Sequence, residues 1–268
     1  MKDDPGANQV RQEKLAAILA QIPWDAWESI VRKEPEWQAM ADLLPIYGFG
    51  PFATLMIAAG LNDYHLKGKA DIVYWPQLRD RLYASPIPGS ASELLDVLAR
   101  FYKTERMTER KIATLRTFLQ SPLAERLWLQ TPTTMAAEIL LIREELARAV
   151  EQPVEDKQIV FGMKCLGLAL LIAGETRFDF APFPIPADSR LRKLTKRLKL
   201  AADGQEALRN LWQTVLTAIQ KSHRHASMIH LDSLLWQIAP LQEAQLVNYF
   251  GDLGIPDVGC SLQAFLSE

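Results

Sequence analysis

Apolar residues recur every three to four positions along almost the whole chain, and the strict alternation of a half-buried strand is nearly absent. This periodicity predicts helices over roughly 8–21, 25–33, 36–45, 50–61, 75–84, 91–103, 107–119, 134–150, 157–173, 188–200, 204–221, 230–238, 241–250 and 258–266. Breakers fall between these segments: Pro23, Pro45, Pro51, Pro86, Pro88 with Gly89, Pro122, Pro132 and Pro153, with Gly174 placed as a C-cap. Thr133 or Thr134 stands where it can cap the helix that follows. The expected class is therefore all-α. No repeat of fixed period is evident, which argues against a solenoid. No low-complexity linker divides the chain, so two interleaved helical lobes are expected rather than two beads in series.

The segment KQIVFGMKCLGLALLIA at 157–173 is almost wholly apolar yet carries two lysines seven residues apart. Seven residues is nearly two helical turns, so Lys157 and Lys164 share a face. Taken alone, Lys164 reads as a lysine that snorkels to water or pairs with an acid. Lys157 falls in the first turn of its helix, where the positive helix end disfavours an ammonium. Burial against Phe161 would push the same way, while Glu155 and Asp156 would oppose it. A lysine with a lowered pKa is a better nucleophile. The turn that follows, AGETRFDFAPFPIPADSR, is stiffened by Pro182, Pro184 and Pro186 and delivers Asp188 to the next helix start. Asp188 alone reads as an N-cap. An amine, a rigid turn and a carboxylate together suit amine chemistry.

The formal net charge of -2 advertises no basic field, so a nucleic-acid partner must use a local patch. Cys165 and Cys260 lack CxxC partners, which excludes a zinc knuckle or a cysteine-ligated iron–sulfur cluster. No metal or other cofactor is expected. The opening MKDDPGANQ is polar and offers no apolar signal core. The run from Gln158 to Gly174 is broken by Lys164 and is short for a membrane span. A soluble protein in the reducing cytoplasm is expected.

The segments DKQIVFGMKCL, PFPIPADSRLRKLTKRL and MIHLDSLLW together resemble the archaeal-type 8-oxoguanine DNA glycosylase/AP lyase of the helix-hairpin-helix superfamily. The likeness is strongest from Asp156 to Trp236 and is traceable through EPEWQ at 34–38 and YHLKGK at 64–69. It implies a two-lobed all-α glycosylase fold with the active site in the cleft between the lobes. The whole chain would be one catalytic module, with a helical bundle over 74–152 and a helix-hairpin-helix lobe built from 1–73 and 153–268. Lys157 stands at the position of the family nucleophile and Asp188 at that of the assisting aspartate. The implied reaction is excision of 8-oxoguanine through a lysine Schiff base, then β-elimination at the abasic site, on a nucleotide flipped from the duplex. The implied partner is double- or single-stranded DNA with oxidised guanine, bound by a monomer near the nucleoid.

Asp232 and Trp236 are spaced i, i+4 on one helix face. Alone they read as a core tryptophan with a helix aspartate; the resemblance makes them pocket residues, the indole for stacking and the carboxylate for guanine N–H groups. Lys164 matches a second pocket lysine, and Trp75 the opposing stacking aromatic, with Tyr74 as its rival. One position departs from the family. Glu36 stands where members carry a glutamine, and an ionised glutamate only accepts hydrogen bonds; Gln38 would fill the role through a local shift. Arg190, Arg192, Lys193 and Lys196, with Arg197 and Lys199, make the helix after Asp188 basic. Phosphate binding and a solvated charged face both fit such a stripe. His223, His225 and His230 match no metal spacing, and KSHRHAS reads as a loop. The alternatives are a glycosylase/lyase for another oxidised base, or a non-catalytic helical DNA- or protein-binding module.

Overall fold

Helical periodicity governs the structure, a computed structural model that describes residues 5–268: every regular element among them is helical. Residues 1–4 of the polar opening lie outside the described residues. No helix is long and apolar enough to cross a membrane.

The differences from the periodicity are local and have local causes. The expected helix 134–150 is two helices, Pro132–Ala137 and Ile139–Ala149, separated at Glu138. Thr131, rather than Thr133 or Thr134, is the cap, accepting from the Thr134 amide, and Pro132 fills the first helical position. A helix Pro122–Trp128 occupies a stretch expected to be loop; Ser121 caps it and Pro122 opens it. The segment 36–45 is divided into Pro35–Met40, a 3-10 turn Ala41–Leu43 and Leu44–Tyr47. Helix Trp75–Tyr83 is entered through a π-helical turn, Ala70–Tyr74, in which the Tyr74 amide reaches back to the Lys69 carbonyl at 3.1 Å.

Contacts divide the chain into two compact units, one of residues 1–33 with 181–268 and one of residues 34–180. This division groups 34–73 and 153–180 with the segment 74–152. In the unit 34–180, helices Phe49–Leu61 and Lys157–Ile172 pack against each other and are buried around most of their circumference. Their approach is close because glycines face each other. A Cβ on Gly60 would lie 2.7 Å from Cys165 Sγ and 3.0 Å from Gly162 Cα, and one on Gly162 would lie 3.3 Å from Leu61. Gln158 Nε2 donates to the Leu61 carbonyl at 2.8 Å and ties the start of one helix to the end of the other. Gly174, with φ of 79°, ends the second helix in the left-handed conformation that favours glycine.

In the other unit, helix Pro5–Leu19 packs on Gly204–Gln220 and Pro256–Ser267, and Trp24–Arg32 packs on Met228–Ile238. Arg11 donates to the carbonyls of Leu198 and Phe265, each at 2.7 Å. Arg197 donates to the carbonyls of Ile238, Ala239 and Leu241. It therefore satisfies a helix C-terminus, and its position in the basic stripe serves the fold.

Candidate functional site

Lys157 is the first residue of its helix, and its side chain is exposed. Asp156 is the N-cap and accepts from the Gln158 amide at 2.8 Å. The burial against Phe161 expected from sequence is absent at Lys157. Phe161 instead lies under Lys164, whose ammonium is 5.5 Å from the ring centroid. The reason is the helix end: a first-turn side chain projects beyond the packed body of the helix, while one two turns later points into it.

Lys164 is 1% exposed and donates to Glu34 Oε1 at 2.9 Å. The bare sequence reading of Lys164 as a lysine paired with an acid matches this contact, and its partner is 130 residues distant in the chain. Truncating one member of such a pair strands the other charge in the interior, at about 3–5 kcal/mol. Glu36 lies beside it, also buried. Burial and the neighbouring Glu34 raise its pKa well above the usual carboxylate range, against the pull of Lys164.

Asp63, in the loop after helix Phe49–Leu61, joins this cluster. Burial pushes its carboxyl up to about 6, while the Trp75 indole N–H bonded to Oδ2 at 3.2 Å and the charges of Lys157, Lys164 and Lys111 pull it down. Sequence reasoning passed over both Glu34 and Asp63. The only local signal was that Glu34 lies in EPEWQ and Asp63 immediately before YHLKGK, the two segments that carry the weaker part of the family likeness.

Trp75 is fully buried, as is Tyr74, whose hydroxyl donates to the Ala59 carbonyl and meets the Tyr102 hydroxyl. A stacking role for either requires the ring to be uncovered first. Gln38 is exposed, on the same short helix as Glu36. Lys111, buried, stands 3.7 Å from Glu105 and over the rings of Tyr64, Tyr74 and Tyr102; burial lowers its pKa.

The remaining sequence candidates lie in the other unit. Asp188 caps helix Ser189–Arg197, accepting from the Leu191 amide at 2.8 Å. Arg190, Arg192, Lys193 and Lys196 are exposed along that helix. Asp232 and Trp236 lie one turn apart on Met228–Ile238, both half-buried. The Arg190 guanidinium stands 4.7 Å over the Trp236 ring, which covers part of one indole face.

His230 lies in the helix expected from that position, after the loop KSHRHAS. It is buried in the first turn of Met228–Ile238, takes part in a capping box with Ser227, and has its pKa lowered to about 4 by burial. His225 and His230 flank Trp24, while His223 contacts the Ala20 carbonyl at 2.9 Å. No group of three or more His, Cys, Asp or Glu among the described residues could hold a metal ion.

A family model described as AGOG, N-glycosylase/DNA lyase, matches residues 16–250. The N-glycosylase/DNA lyase of Thermococcus kodakarensis is 28% identical over 195 residues, which cover 70% of this chain and 67% of that protein. Its counterpart in Methanopyrus kandleri is 27% identical over 204 residues, 74% of this chain and 76% of that one. Among solved structures, the fold is similar to the 8-oxoguanine DNA glycosylase of Pyrobaculum aerophilum complexed with 8-oxoguanosine. The TM-score is 0.70 at 19% identity, over 86% of this chain and 88% of that chain.

Proposed function

The chain belongs to the AGOG family of N-glycosylase/DNA lyases, and from that premise we propose that it excises 8-oxoguanine from DNA and then cuts the abasic strand through a Schiff base on Lys157. The observation that carries the residue assignment is the contrast between the two lysines of one helix. The Lys157 amine is exposed, whereas that of Lys164 is buried against Glu34.

The Lys157 amine attacks C1′ as the glycosidic bond breaks, and the base leaves with the electron pair and takes up a proton. The amine loses a proton and the sugar ring opens to the protonated Schiff base. Loss of a C2′ proton then expels the 3′ phosphate by β-elimination. Asp188 is assigned the carboxylate that stabilises the cationic sugar. Its Oδ1 accepts from the Leu191 amide, which fixes the carboxylate at the helix start.

Trp236 and Asp232 are assigned to the base, the indole by stacking and the carboxylate by accepting N–H groups. Trp236→Ala is expected to lower 8-oxoguanine excision about tenfold or more, from a stacking loss of about 1–3 kcal/mol. Cleavage of a preformed abasic duplex, which has no base to stack, should be largely retained in the same preparation. Equal losses on both substrates would make Trp236 a packing residue.

The exposed cations of helix Ser189–Arg197 are assigned to phosphates. The double substitution Arg192→Ala, Lys196→Ala is expected to weaken damaged and undamaged duplex alike. The salt slope of log K should become shallower by roughly 0.9 for each phosphate the helix no longer neutralises. An unchanged salt titration would leave the helix as a solvated face. A monomer acting on nucleoid DNA in the cytoplasm completes the reading. Borohydride trapping of the wild type on an 8-oxoguanine duplex tests it directly: a covalent adduct is expected, and excision without any adduct would remove the Schiff base from the mechanism.

A further inference from the structure

We propose that Glu34 and Glu36 hold one proton between them, so that Glu36 is a neutral acid whose Oε2 is a hydrogen-bond acceptor without a charge. Both carboxyl groups are buried beside the Lys164 ammonium, and the Glu34 side chain acts directly on that of Glu36. Two ionised carboxylates have only acceptors, so a direct bond between them requires a proton.

Charge balance leads to the same point. Glu34, Glu36 and Lys164 are 1%, 3% and 1% exposed. Two carboxylates against one ammonium would leave a net negative charge in a site closed to water, and one proton restores neutrality. The proton resides on Glu36, because Glu34 is the acid bonded to the Lys164 ammonium at 2.9 Å. The other groups acting there are Asp63, of the same sign as Glu34, and the buried thiol of Cys165, itself pushed up by burial. The upward direction of the Glu36 pKa accords with this assignment.

Glu36 thus donates to Glu34 and keeps its second oxygen free. Oε2 is buried and has no hydrogen-bond partner among the described residues. Donor on one side and neutral acceptor on the other is the pattern of a glutamine amide. An N–H group, such as those on the edge of a purine base, would satisfy Oε2 at a far smaller desolvation cost than an ionised carboxylate imposes. The identity of that ligand rests on the base-excision reading above; the shared proton does not.

The test therefore needs no DNA. The folding stability of the wild type and Glu36→Gln is compared from about pH 5 to about pH 9. The native state keeps a proton that the unfolded chain gives up above the ordinary value of 4.5. Stability consequently falls as pH rises from there, by up to about tenfold in the folding constant per pH unit, and levels off above the folded-state pKa. Glu36→Gln has nothing to titrate and should lack that decline relative to the wild type. Parallel curves would overturn the proposal. Infrared spectra of wild type labelled with carbon-13 only in glutamate give a second readout, independent of whether the variant folds. A protonated-carboxyl band at neutral pH is expected, and its absence would overturn the proposal equally. Neither result depends on activity, so a protein that passes both tests yet fails to excise 8-oxoguanine would defeat the functional reading alone.

Discussion

Lys157→Gln abolishes borohydride trapping and strand cleavage together, while the folded state stays within about 0.5 kcal/mol of the wild type. Both halves of this expectation follow from where the residue sits. Lys157 is exposed at the first position of its helix, so its side chain adds little to the core. An amide cannot form a Schiff base, so the covalent route closes completely rather than slowing. The measurement is a denaturing gel of trapped and cleaved 8-oxoguanine duplex beside a thermal melt. A variant that still cross-links would move the nucleophile to another amine. Lys164 would be a costly substitute, since it would have to leave Glu34 and a site that is 1% exposed.

Asp188→Asn is expected to slow base release by about 10²–10³-fold, the range seen when one preorganised electrostatic interaction with a transition state is removed. Asparagine caps helices about as well as aspartate, so stability should change little. Asp188→Ala loses the cap as well and should cost about 1 kcal/mol more of stability. The pair separates the two roles of the residue: single-turnover excision reports the charge, and the melt reports the cap. Near-normal excision by the asparagine variant would leave Asp188 as a cap alone.

The features legible in the sequence are those that depend on neighbours along the chain. Helix Lys157–Ile172, its glycine stop and the cap at Asp188 are encoded within a turn or two of the residues concerned. Ser121 with Pro122 and Thr131 with Pro132 are also local signals, and they outrank the apolar periodicity that suggests loop in one case and a single long helix in the other. What the sequence did not disclose were partners brought from afar. Nothing near Lys164 points to Glu34, and nothing near Trp75 in isolation points to Asp63. Burial is likewise a property of the assembled fold. His230 stands at the start of an expected helix, but only the assembled fold shows that its ring is turned inward. Burial of Lys157 against Phe161, which the sequence allows, is ruled out by the helix end that leaves it outside.

The crossing of Gly60 and Gly162 gives Lys157 an unusual mechanical setting. The amine has a flexible stem, but the helix beneath it packs closely on its partner: a Cβ on Gly60 would meet the Cys165 side chain at 2.7 Å and the Gly162 Cα at 3.0 Å, and one on Gly162 the Leu61 side chain at 3.3 Å. Lys157 lies five residues from Gly162, roughly 7.5 Å along the axis at 1.5 Å per residue. The helix is therefore a short lever whose fulcrum is the glycine notch, steadied near its tip by Gln158 on the Leu61 carbonyl. Aim at the tip is set by two residues with no functional group at all. A methyl at Gly60 would press on the Cys165 thiol and the facing backbone, so the helix that carries Lys157 or the thiol would have to shift.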